Sequence, residues 1–109
     1  MPAGHVIDAR LLAPASRCAR VVVVRDRGSF RRACGIRISV DQAPVATLDA
    51  GEKVAMCLAP GEHVIDAART GDCDATAAKV LIQASVAGAA ETLRTGYSGR
   101  SVILESAPP

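Results

Sequence analysis

The chain has 109 residues, half of them hydrophobic, with one Phe, one Tyr, no Trp and a formal net charge of +2. That length fits one domain and excludes two. No apolar run nears the roughly 18 residues of a membrane-spanning helix, and Phe30 and Tyr97 are too few to build a base-stacking surface or an aromatic hot spot.

The charge is uneven. Residues 1–40 carry Arg10, Arg17, Arg20, Arg25, Arg27, Arg31, Arg32 and Arg37 against Asp8 and Asp26, a balance of +6, while residues 41–109 carry five basic and nine acidic side chains, a balance of −4. A basic front half can attract nucleic acid or an anionic surface. With no aromatics between the arginines, it reads instead as solvated strands and loops balanced by the acidic half.

In chain order, residues 1–18 form an N-terminal arm, broken by Gly4 and Pro14. The arm lacks the charged and apolar regions of a signal peptide, so an exported protein is expected to be represented here by its mature form or by an excised piece. Residues 19–106 form a single domain and 107–109 a tail. Within the domain, turn signals recur every 8–12 residues, the spacing of a sandwich or barrel.

Arg20–Arg25 encloses four valines, β-branched on both faces, and reads as a central strand. Ile36, Ile38 and Val40 alternate with Arg37, Ser39 and Asp41, a half-buried strand with Arg37 facing solvent. A turn at 41–44 leads to a short strand, Val45–Leu48. Gly51 turns the chain into a strand where Val54, Met56 and Leu58 alternate with Ala55 and Cys57. Pro60 and Gly61 stand where a type II turn wants them, with His63–Ala68 as the return strand.

The stretch 74–94 is rich in Ala, and Asp74 is a possible helix cap. However, Val80, Ile82, Ala84 and Val86 alternate with polar neighbours, and Gly88 in mid-helix costs about 1 kcal/mol. Strands at 78–86 and 91–97 are expected, with a turn at 87–90. Ser98-Gly99 then leads into a last strand, Ser101–Glu105. The expected fold is all-β: an antiparallel sandwich of about seven or eight short strands, mostly in sequential hairpins. Val22, Val24, Ile38, Val40, Val54, Met56, Leu58 and Ile82 are expected in its core.

Four cysteines, Cys18, Cys34, Cys57 and Cys73, stand 16, 23 and 16 apart. No C-x-x-C occurs, which argues against a zinc ribbon or a thioredoxin-like motif. In an exported protein four cysteines imply up to two disulfides in one of three connectivities; in a cytosolic one they would be small buried side chains. Asp72 and Asp74 flank Cys73, but the remaining oxygen ligands of a calcium loop are not in view, and a polar loop is the better reading. His63 and His5 lack a nucleophile in an elbow context, since Ser39, Ser85, Ser98 and Ser101 fall in no Gly-x-Ser-x-Gly. Glycines occur singly at turns and form no phosphate cradle. No catalytic residue, cofactor site or metal site is expected.

Several segments together resemble small bacterial envelope domains of the PEGA type and related lipoprotein-associated domains. These segments are Gly35–Asp41, Val45–Leu48, Gly51-Glu52, the run Leu58-Ala-Pro-Gly-Glu-His63, and Val86–Arg94. The shared logic is a strand ending in a "VDG"-like turn, a short strand, a Gly turn, and a strand ending in Leu-x-Pro-Gly-Glu-His with its return. Gln42 stands where the resembling domains usually have Gly, which predicts a looser or differently typed turn, and Cys57 stands where Tyr or Phe is common. The resemblance implies a β-sandwich presented in the periplasm or on a membrane-anchored stalk, with membrane contact only through an N-terminal anchor outside this chain. It also implies a disulfide between Cys34 and Cys73, with Cys18 and Cys57 as either a second bridge or buried thiols.

The function expected is therefore a non-enzymatic interaction or structural module of the bacterial envelope. It would bind another protein or itself through a strand edge, with no nucleic-acid partner. The alternatives are a small inhibitor of an envelope hydrolase, inserting a loop such as 69–77, and an Arg-rich binder of anionic surfaces or nucleic acid.

Overall fold

A computed structural model of the chain describes residues 5–6, 18–26, 34–70, 77–84, 91–98 and 101–107. The readings placed on Cys73, Asp72 and Asp74, on the turn at 87–90, and on Phe30 and arginines 10, 17, 27, 31 and 32 lie outside these residues.

Every regular element among the described residues is a strand. They are β1 (His5–Val6), β2 (Ala19–Arg25), β3 (Ile36–Val40), β4 (Ala43–Leu48), β5 (Lys53–Leu58), β6 (Gly61–Arg69), β7 (Ala78–Ala84), β8 (Glu91–Ser98) and β9 (Ser101–Ser106). Alternation therefore prevails over alanine's helix propensity at 78–84, because a strand here buries Ile82 against the core. Two sheets pack as a sandwich, one in the order β1-β4-β3-β6-β7 and the other in the order β5-β2-β8-β9.

Three successive pairs are hairpins: β3–β4, β6–β7 and β8–β9. Elsewhere the chain changes sheets. The strand beginning at Gly61 does not return along β5 as its turn residues suggested. It joins the other sheet and pairs with β3 and β7. Gly61 opens β6 with φ 126, a value open to glycine. Pro60 precedes it at the crossing. Gly51 does turn the chain locally, with φ 81 and a hydrogen bond from the Glu52 N–H to the Asp49 carbonyl at 3.0 Å, closing the loop between β4 and β5. One ladder is parallel, β2 with β8, so the second sheet is mixed.

The core is aliphatic. Ile36, Ile38, Leu48, Met56, Leu58, Ile65 and Leu93 are almost fully buried. Arg37 is exposed and Ile38 buried, as the alternation requires. On β2 the expected facing is reversed: Val21 and Val23 are buried while Val22 and Val24 are half-buried. The sequence offers no phase that exposes both flanking arginines, because Arg20 and Arg25 are five residues apart and fall on opposite faces. The structure turns Arg20 outward and Arg25 inward. Burying a charge is tolerable only where it finds partners, and Arg25 has them at the end of the sandwich.

The β3–β4 hairpin is tight despite Gln42. Val40 pairs with Ala43, leaving Asp41 and Gln42 as a two-residue loop with φ 49 and 73. Positive φ at both positions is the type I′ geometry, which favours Gly at the second. Of the looser or differently typed turn expected from Gln42, the looser one is not formed; the residue accepts the left-handed backbone instead. Gln42→Gly should raise the unfolding free energy by about 1 kcal/mol, the relieved strain exceeding the added freedom of the unfolded chain. A rise in the urea midpoint at unchanged m-value would show it. A register shift after Ile38 places Val45 as the extra residue of β4, so that Val45 and Ala46 are both buried.

Candidate functional site

Two polar clusters and the edge strand β7 stand out among the described residues. The first cluster lies at the turn between β3 and β4. The Asp41 N–H donates to the Val64 carbonyl at 2.8 Å, and the Val64 N–H donates to Asp41 Oδ1 at 2.9 Å. Asp41 Oδ2 lies 2.7 Å from His63 Nδ1, and His63 Nε2 lies 2.7 Å from the Ala59 carbonyl oxygen. Both ring nitrogens thus face oxygen acceptors. A neutral imidazole donates once, so only the imidazolium satisfies both.

Burial opposes charge on His63, but the hydrogen bonds to Asp41 and the Ala59 carbonyl outweigh it and raise the pKa above its ordinary 6.5. Asp41 is held below its ordinary 3.8, first by the Val64 N–H and then by His63. The groups His63 reaches are a carboxylate and a carbonyl, so the cluster fastens the β5–β6 crossing to the β3–β4 turn.

These directions fix a pH dependence. The contribution of His63 is fully present below pH 6.5 and is lost as pH rises through its raised folded value. That of Asp41 is present above 3.8 and is lost as pH falls through its lowered folded value. The pair therefore stabilises most at weakly acidic pH, modestly because the Asp41 side chain is half exposed to solvent screening. His63→Gln should flatten the fall in stability that sets in as pH rises above 6.5. Urea titrations at several pH values would reveal an unchanged slope if His63 were not the responsible group.

The second cluster closes one end of the sandwich. Arg25 is 2% exposed. Its guanidinium donates to the Leu48 carbonyl at 2.7 Å and lies 5.4 Å from the centre of the Tyr97 ring. Tyr97 in turn donates its hydroxyl to the Gly35 carbonyl at 3.0 Å. Arg25 and Tyr97 belong to one sheet; Leu48 is in the other, and Gly35 stands at the entry to its strand β3, so both bonds cross the sandwich. Burial lowers the Arg25 pKa, with Tyr97, Asp49 and Glu52 opposing the shift. Gly35 sits close beneath, where a Cβ would approach Thr70 Oγ1 to 2.6 Å.

Sequence reading assigned neither cluster. Apart from His63 and Ala59, four residues apart, the hydrogen-bonded partners are 22 or more residues apart, and no local pattern links them. The described arginines of the basic front half do not converge: Arg20 is exposed on one sheet, Arg37 on the other, and Arg25 lies between the sheets.

Cys18 and Cys57 form a disulfide with their Cα atoms 5.2 Å apart. It ties the entry of β2 to the end of β5, the edge strand beside it. Cys34 is also disulfide-bonded; Cys73, the partner the resemblance implies, lies outside the described residues.

Among the described residues β7 is one of four edge strands, with β1, β5 and β9. It pairs with β6 alone, and the backbone groups on its other side have no partner among the described residues. Its inner face carries Val80 and Ile82, packed in or against the core, while Lys79, Leu81 and Gln83 face outward. Leu81, at 59% exposure, is the one large hydrophobic side chain exposed among the described residues. It stands beside Val64 of β6, while Lys79 stands beside Asp66, whose buried Oδ1 meets no donor among the described residues.

The chain matches no protein-family model, no curated protein and no solved structure.

Proposed function

We propose that this protein is a non-enzymatic interaction or structural module of the bacterial cell envelope, engaging its partner through a strand edge. The observation that carries the reading is the Cys18–Cys57 disulfide across a small aliphatic sandwich. Disulfides persist in oxidising compartments, and small exported domains use them to supplement a modest core. The resemblance of the segments 35–41, 45–48 and 58–63 to envelope domains supports the same compartment. The unpaired β7 edge with exposed Leu81 supports main-chain pairing as the mode of binding.

Thiol trapping tests the compartment. The protein is produced from its own gene in its own cells, which are lysed directly into an alkylating reagent. Cys18 and Cys57 protected from alkylation is the expected result. Both residues alkylated would overturn the envelope reading, because a cytosolic thiol pool keeps such cysteines reduced.

A further inference from the structure

We infer that the β7 edge is a self-pairing surface: two copies of this chain join antiparallel along β7, with Leu81 on the two-fold axis, making one continuous sheet across both molecules. This rests on the strand-edge reading above and names its partner, a second copy.

The order of residues along β7 is the first support. The strand reads Ala78-Lys79-Val80-Leu81-Ile82-Gln83-Ala84, which is nearly palindromic about Leu81. A two-fold axis there sets Leu81 against Leu81, Val80 against the second copy's Ile82, Lys79 against its Gln83, and Ala78 against its Ala84. Each pair matches in character, and the two lysines never face each other. Like charges directly opposite would destabilise, whereas an ammonium facing a primary amide can donate to its oxygen. Centring the pair on Val80 instead sets Lys79 against Leu81; centring it on Ile82 sets Leu81 against Gln83. Both oppose apolar to polar.

Facing and burial agree with this register. Val80 and Ile82 point to the sandwich interior, so their pairing extends the core across the junction. On the outer face Leu81 already stands beside Val64. Self-pairing gives an unbroken row of Val64, Leu81 and the same two residues of the second copy, covering the side chain that is 59% exposed in the single chain.

The other edges are less suited. β1 has two residues, β5 carries the Cys57 end of the disulfide, and β9 places exposed Glu105 in an ion pair with Arg94 of β8. β7 is seven residues long with a single charge, whereas solvent-facing edges are ordinarily kept short, bulged or charged.

Sedimentation velocity on the full oxidised chain, from about 10 μM to about 1 mM, is expected to show a reversible monomer–dimer equilibrium of the weak kind that small interfaces give. Leu81→Lys, at an exposed site, should leave the melting curve in place and abolish the dimer. Gln83 provides a sharper test because its two neighbours demand opposite things. Within one chain it stands beside Glu62, while in the dimer it stands beside the second copy's Lys79. Gln83→Lys should hold or raise monomer stability and weaken the dimer about three- to ten-fold. Gln83→Glu should do the reverse on both counts.

Leu81→Cys, oxidised mildly after folding, should cross-link to a dimer on a non-reducing gel, since directly opposed Cα atoms lie within disulfide reach. Lys79→Cys should not, its counterpart being about 14 Å away along the strand. A protein that stays monomeric at about 1 mM, or Lys79→Cys cross-linking as readily as Leu81→Cys, overturns the self-pairing. Those results leave the envelope reading to its own test, where reduced Cys18 and Cys57 would be the failure.

Discussion

Replacing Cys18 and Cys57 together by Ser is expected to lower the unfolding free energy by up to about 4 kcal/mol, the chain-entropy figure for cross-linking residues 39 apart. The native bond constrains the unfolded ensemble, and Cys34 carries a second bridge that already restricts it, so the measured loss should fall below that ceiling. It remains a large part of the stability of a domain this size. The loss should also have a place. β5 is an edge strand held by β2 alone, and the disulfide fastens its end to the entry of β2. Amide exchange over Val54–Leu58 should therefore accelerate more than exchange in β3, which is flanked by β4 and β6. Urea denaturation of wild type and double variant measures the first effect, and residue-resolved hydrogen exchange the second. A loss below about 0.5 kcal/mol would mean that the disulfide adds nothing beyond the ladder it spans.

Ile38→Ala is expected to cost about 2–5 kcal/mol. Ile38 is fully buried in the middle of β3, between β4 and β6 and within the main core cluster. A cavity there cannot collapse without moving two flanking ladders. Its sequence neighbour Arg37 is exposed on the other face, and Arg37→Ala should stay within about 0.5 kcal/mol. The contrast between the two is the measurement. Comparable losses would mean that the outer face of this sheet is packed against something that also depends on Arg37.

Much of the architecture was legible in the residues. The strict alternation at 36–40 and 54–58 fixed both the element and its facing, because a period of two leaves one apolar face and one arrangement that buries it. The same alternation predicted a strand at 78–86 against the pull of alanine, and 78–84 is one. The four valines of β2 showed where alternation fails: with both faces apolar, parity alone cannot say which pair is buried. The inward pair was decided by Arg25 finding the Leu48 carbonyl and the Tyr97 ring. The Pro60-Gly61 signal reported a change of chain direction truthfully, but a turn residue carries no information about which sheet receives the next strand.

By itself, then, the sequence determined that this chain is aliphatic and all-β, and which residues of β3 and β5 form its core. These follow from composition and local periodicity, which act over a few residues. Only the tertiary structure decided that Cys18 bonds to Cys57, that β2 runs parallel to β8, that Asp41 clasps His63, that Arg25 is buried, and that β7 is left at an edge. The first four depend on contacts between residues 20 or more apart in the chain, and the last on the order of strands in the sheet. Such contacts are set by how the two sheets stack and in what order their strands lie, and no short-range pattern encodes that order.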